Sequence, residues 1–118
     1  NQQFGYEVGD VILDRTTSEI ISLIQEIDLK AMLERKGGDE YSIIVEASQE
    51  NTISLAKKII DNVKKVDYSD VAEQLYVSIT AGVAALNEGT KTYSQLIQDA
   101  TVILYETKRF GKKGTVGR

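Results

Sequence analysis

The 118-residue sequence has no histidine, no cysteine and no proline. Without the first two it offers no disulfide frame, no zinc site of the usual ligands, and no Ser-His or Cys-His nucleophile. Any chemistry falls to carboxylates, lysines, arginines, hydroxyls and a hard, oxygen-seeking metal ion. No proline-marked linker, internal repeat or low-complexity tract divides the chain, so it reads as one domain, long enough to bury a core. No apolar run approaches the roughly 20 residues that a membrane-spanning helix needs. Asn1-Gln2-Gln3-Phe4 has neither a basic stretch nor an apolar one, so no signal peptide is expected at this start. Apolar residues at 42% and charged residues at 27% exclude a disordered or fibrous chain.

The net charge is −4, yet Lys108, Arg109, Lys112, Lys113 and Arg118 crowd the last eleven residues with no acid among them. Such an end suits a phosphate ligand, and equally a helix terminus whose cations complement the dipole. Leu13, Thr17, Ile20, Ile21 and Ile24 recur with helical period between Gly9 and Ile27. Residues 31 to 36 and 40 to 46 flank Gly37-Gly38 and predict an antiparallel hairpin. Ser48 is placed to cap a second helix with Ile53, Ala56, Ile60 and Val63 on one face. Residues 76 to 83 alternate as a half-buried strand with Val77, Ile79, Ala81 and Val83 inward. Asn87-Glu88-Gly89 reads as a turn. A third helix is expected from Tyr93 to Arg109, its core face Leu96, Ala100, Ile103, Leu104 and Thr107, stopped by Gly111. A short strand within 114 to 117 closes the order helix, hairpin, helix, strand, helix, strand, which is of α/β type.

Gly37-Gly38-Asp39-Glu40-Tyr41 resembles the signature of GGDEF domains, the diguanylate cyclases that join two GTP molecules into cyclic di-GMP. Three further segments carry the resemblance in the right order. Asn1 to Asp10 is similar to the family's N-D-x-(Y/F)-G-H-x-x-G-D. Ser78-Ile79-Thr80-Ala81-Gly82-Val83-Ala84 is similar to its S-I-G-V-A strand. Leu104-Tyr105-Glu106-Thr107-Lys108-Arg109-Phe110-Gly111-Lys112 is similar to its closing L-Y-x-A-K-x-x-G-(R/K).

The resemblance implies an α/β (α+β) fold: a palm-like, ferredoxin-like nucleotide-cyclase sheet with flanking helices and a central β-hairpin. It implies Asp39 and Glu40 as catalytic residues and ligands of Mg²⁺ or Mn²⁺, with Gly37 and Gly38 letting the nucleotide lie against the backbone. Asn1 and Asp10 match the family's guanine-reading pair, and Leu13 an apolar contact in the base pocket. Asp10 also reads as a helix N-terminal acid, and Leu13 as a core leucine. Lys108 and Lys112 match cations set against the triphosphate, and their spacing of four puts them on one face if the helix continues. Arg35 stands where the family often has an arginine.

The implied partners are GTP, a second copy in a homodimer, and a sensor or cyclic di-GMP phosphodiesterase domain in the same polypeptide, with no nucleic acid. The implied location is the cytoplasm of a bacterium, or the cytoplasmic part of a membrane-anchored protein. Family members begin with a strand bearing another metal-binding aspartate, so this chain is expected to be the later part of such a domain. Tyr41 replaces the usual phenylalanine, Tyr6 the usual histidine and Gln2 the usual aspartate. These departures leave a second reading, a degenerate GGDEF module that binds GTP or a partner and regulates an attached domain. A third, a palm-like polymerase, conflicts with the closing segment. Gln25-Glu26-Ile27-Asp28 lacks the arginine of the family's Arg-x-x-Asp product site, so tight product inhibition is not expected there.

Overall fold

Ser48 begins the second helix as its side chain implies: in extended conformation (φ −64°, ψ 160°), its hydroxyl accepts a hydrogen bond from the Asn51 amide at 3.1 Å. Thr92 does the same for the third helix, accepting from the Gln95 amide at 3.1 Å. Each cap satisfies an amide that the helix itself leaves without a partner. The computed structural model describes residues 5–27, 29–37, 40–71, 73, 75, 77–86 and 92–118. The elements in order are α1 (Gly5–Glu26), β1 (Ala31–Gly37), β2 (Glu40–Val45), α2 (Gln49–Lys64), β3 (Ala81–Gly82), α3 (Tyr93–Arg109) and β4 (Val116–Gly117).

The core lies between α1 and α2. Ile20 and Leu23 of α1 meet Leu55, Ile59 and Val63 of α2, and Val63 is 0% exposed. Leu33, Tyr41 and Ile43 of the hairpin and Val77 and Ile79 of the following segment pack against this cluster. The expected α2 stripe is largely met: Ile53, Ile60 and Val63 are buried, Ala56 is half-buried, and Leu55 and Ile59 widen the stripe. On α1 one residue is corrected. Ile21 is exposed, because the inward line runs Thr16, Ile20, Leu23, Ile24, and one further residue turns a side chain about 100° away. The helix also begins four residues earlier than expected, at Gly5.

The hairpin is antiparallel as predicted, from Ala31↔Val45 to Gly37↔Glu40, with a register shift between Arg35 and Gly37. Gly37 is therefore the last residue of β1, paired directly with Glu40, and Gly38 and Asp39 lie outside the described residues. Asn1, Asp28, Tyr76 and the turn at 87–89 lie outside them too. The strand expected over 76–83 is reduced to Ala81–Gly82. Strand pairing needs a neighbour, and β4 runs beside it, in parallel, for only two residues, Ala81↔Val116 and Gly82↔Gly117. Among the described residues there are thus two separate two-stranded ladders, β1-β2 and β3-β4, rather than one continuous sheet.

Helix α3 lies against the β3–β4 ladder at two glycines. A Cβ on Gly82 would stand 2.6 Å from the Leu104 nitrogen and overlap the Ala100 carbonyl; one on Gly117 would overlap the Thr107 hydroxyl. That close seat is available only without side chains. The predicted core face of α3 is half-buried or, at Thr107, buried. The helix ends as a Schellman motif: Gly111 takes φ +76°, its amide donates to the Lys108 carbonyl (3.1 Å), and the Lys112 amide donates to the Thr107 carbonyl (3.0 Å).

Candidate functional site

Successive side chains of a strand point to opposite faces, and the first two residues of β2 use this to reach two different helices. The hydroxyl of Tyr41 lies 2.7 Å from Thr17 Oγ1 and donates to the Leu13 carbonyl at 3.4 Å, fastening the hairpin to α1. Its neighbour Glu40 accepts a 2.5 Å hydrogen bond at Oε1 from the Tyr105 hydroxyl of α3. On α3, the Lys108 ammonium stands 6.0 Å from the Tyr105 ring centroid, at the outer reach of a cation–π contact. The start of β2 is thus gripped from both sides.

This arrangement brings together several of the candidate residues. Glu40 is half-buried; Lys108 is one turn beyond its tyrosine partner; Leu13, also half-buried, meets the hairpin through its carbonyl. Asp10 is exposed on α1, three residues before Leu13 and so on the same face. Because α1 starts at Gly5, Asp10 belongs to its second turn. The dipole acts mostly within the first turn, so the reading of Asp10 as a helix-end acid weakens. The two-lysine clamp is corrected in one respect. Helix α3 stops at Arg109 and Gly111 turns the chain, so exposed Lys112 does not continue the helical face of Lys108. Asn1, Gly38 and Asp39 lie outside the described residues, while Gly37 closes the hairpin ladder. Arg35 is exposed, opposite Tyr41 in the hairpin register.

The donor set suits a hard cation. No group of three potential ligands occurs among the described residues. Mg²⁺ nevertheless needs only one or two carboxylates, since it fills its shell with waters and phosphate oxygens. Glu40 is a carboxylate that could serve, and its bond to Tyr105 leaves further lone pairs open.

A second cluster lies elsewhere on α1. Arg15 forks onto Asp70 (2.8 and 2.6 Å) and donates to the Asp67 carbonyl at 2.8 Å. This bidentate grip holds the Asp70 carboxyl below its ordinary range; the Ser69 amide, donating to Asp67 at 2.9 Å, does the same for Asp67. The loop so pinned buries Tyr68, 1% exposed, whose hydroxyl lies 3.3 Å from that of Thr16. A cavity of about 300 Å³ opens beside it, and its lining includes none of the candidate residues.

Comparison with known proteins gives the arrangement a family. The family model "Diguanylate cyclase, GGDEF domain" matches residues 1–114. This chain belongs to the GGDEF family. Similar GGDEF proteins include the diguanylate cyclase DosC of Escherichia coli K12, 32% identical over 114 residues that make up 95% of this chain and 24% of DosC. The diguanylate cyclase TpbB of Pseudomonas aeruginosa is 29% identical over 92% of this chain and 25% of its own. The GGDEF chain thus spans about a quarter of the length of these curated relatives. The fold matches the active GGEEF domain of a diguanylate cyclase from Vibrio cholerae with a TM-score of 0.79, at 24% identity, over 99% of this chain and 72% of that one. The expected α/β cyclase architecture with its central hairpin is therefore observed, although the ladders of the described residues are separate.

Tyr105 and Thr17 join the site with no local signal of that role. Tyr105 stood within a matched segment, three residues before Lys108, but its partner is 65 residues away in sequence.

Proposed function

We propose that this GGDEF domain is the catalytic part of a diguanylate cyclase, joining two GTP into cyclic di-GMP with release of pyrophosphate. The observation that carries the reading is the junction at Glu40. A hairpin carboxylate of the Gly-Gly-Asp-Glu signature is held by Tyr105, and that tyrosine stacks near the cation Lys108.

The reaction is phosphoryl transfer, in which positioning and charge neutralisation do most of the catalysis. Glu40, together with Asp39, would hold Mg²⁺ or Mn²⁺, which when bound supplies charge neutralisation at the triphosphate. Glu40 would also take the proton of an attacking 3′-hydroxyl as general base. Gly37 and Gly38 let the nucleotide approach the hairpin backbone. Lys108 and Lys112 bear on the phosphate tail as separate point charges, one on α3 and one beyond its end. Asp10, with Asn1, accepts and donates along guanine's polar edge, and Leu13 lines the base pocket. One subunit presents one GTP, so product forms in a homodimer. The protein is cytoplasmic, or exposes this domain to the cytoplasm, and carries a sensor or phosphodiesterase domain elsewhere.

The test is cyclic di-GMP formation from GTP and Mg²⁺ by the full-length protein at increasing concentration. Turnover per subunit should rise until dimers saturate. Asp10→Ala should weaken GTP binding and relax preference over ATP, since a buried polar edge left unpaired costs about 1–3 kcal/mol. GTP binding without product at any concentration would replace the enzyme with a regulatory module.

A further inference from the structure

We propose that Tyr105 is a positioning residue of the site, holding the Glu40 carboxylate with its hydroxyl and the Lys108 ammonium with its ring. The inference rests on the reading of Glu40 as a metal and substrate group and of Lys108 as a phosphate-binding cation. The hydroxyl is 2.5 Å from Glu40 Oε1, the length of a charge-assisted hydrogen bond, and the ring lies 6.0 Å from Lys108 Nζ.

Three features favour positioning over stability. Tyr105 is 52% exposed, and a hydrogen bond in that setting adds little to folding. Glu40 is the first residue of β2, paired with Gly37 beside the register shift, and the ladder bonds hold its backbone rather than its carboxylate. Its carboxylate therefore gains most from an outside anchor. That anchor sits on α3, which the side-chain-free seat at Gly82 and Gly117 holds tightly against β3 and β4. A bond to Oε1 fixes the carboxylate's direction while leaving lone pairs for a cation, as outer partners of metal-binding carboxylates do. The same ring limits where Lys108 can swing.

The hydroxyl and the ring can be separated by substitution. Tyr105→Phe keeps the ring and removes the bond to Glu40; Tyr105→Leu removes both. In the full-length protein, Mn²⁺ binding in the presence of GTP is read by electron paramagnetic resonance, alongside turnover, GTP affinity and melting temperature. Tyr105→Phe should weaken Mn²⁺ binding and lower kcat by roughly 10- to 100-fold, the usual cost of losing a ligand's supporting partner. GTP affinity without metal and the melting temperature should stay unchanged. Tyr105→Leu should in addition weaken GTP binding roughly two- to fivefold, the worth of an exposed cation–π contact. Glu40→Gln completes a double-mutant cycle, in which adding Tyr105→Phe to Glu40→Gln should cost Mn²⁺ affinity nothing further. Wild-type Mn²⁺ affinity in Tyr105→Phe, or losses that add in the cycle, would overturn the proposal. If the wild type makes no product while the Mn²⁺ arm behaves as stated, the enzyme reading falls and the positioning role stands.

Discussion

The hairpin half of this GGDEF domain and its α3 half are held by different means. In the first, α1, α2 and the hairpin pack apolar side chains around Val63 and Ile59. In the second, α3 settles onto two short strands at Gly82 and Gly117, backbone nearly on backbone, and Thr107 is its one buried residue among those described. The outer face of α3 keeps Tyr93, Val102 and Tyr105 largely exposed, and Phe110 just past its end is exposed too. The side-chain core supplies stability, whereas the glycine seat supplies placement. The candidate chemistry falls where the two meet, between Glu40 of the hairpin and Tyr105 of the helix.

Four substitutions probe this contrast, each read by unfolding of the intact protein. Ile59→Ala removes a branched side chain from the densest part of the first half, and a loss of about 2–5 kcal/mol is expected. Gly82→Ala should cost about 1–3 kcal/mol through overpacking, because the atoms that its methyl meets are backbone and cannot swing aside. Its effect on turnover should exceed its effect on stability, since α3 carries Tyr105 and Lys108. Equal effects would argue that the seat is only structural. Tyr41→Phe restores the family's usual residue but strips the partner of Thr17; about 0.5–1.5 kcal/mol should be lost. Asp70→Asn, outside both halves, should have the smallest effect, and one that depends on pH. The folded carboxyls of Asp67 and Asp70 titrate below the ordinary aspartate value. Their stabilisation is therefore full above about pH 4–5 and is lost as the pH falls through their folded values. The variant should thus differ from wild type at neutral pH and converge with it in acid. An unchanged gap at low pH would show that the Arg15 fork contributes nothing through charge.

The parts of this domain that local chemistry determines were open to reading in the sequence. Ser48 and Gly111 carry their own signals, a hydroxyl for an orphan amide and a residue free to adopt φ +76°. The apolar period located all three helices, though it could not tell Ile21 from Leu23, since both adjoin the same stripe. Alternation over 76–83 suggests more strand than forms, because it reports a half-buried surface, not the presence of a neighbour to pair with. The motif residues of the hairpin were legible, but their setting was not. That Glu40 turns to α3 and Tyr41 to α1 depends on contacts across 65 and 24 residues of chain, which no local pattern encodes. Lys112 shows the reverse case: Gly111 itself signalled that the helical spacing to Lys108 would not persist.

If the junction of hairpin and α3 is a catalytic centre, its chemistry depends on the Glu40 carboxylate. Glu40→Gln in the full-length protein isolates that dependence, because the substitution keeps the shape and removes the charge. Cyclic di-GMP formation should fall by about 10²–10³-fold, since electrostatic stabilisation is usually the largest catalytic contribution. The melting temperature should hold, the carboxylate being half-exposed. Turnover within twofold of wild type would contradict the claim and leave the junction as architecture alone.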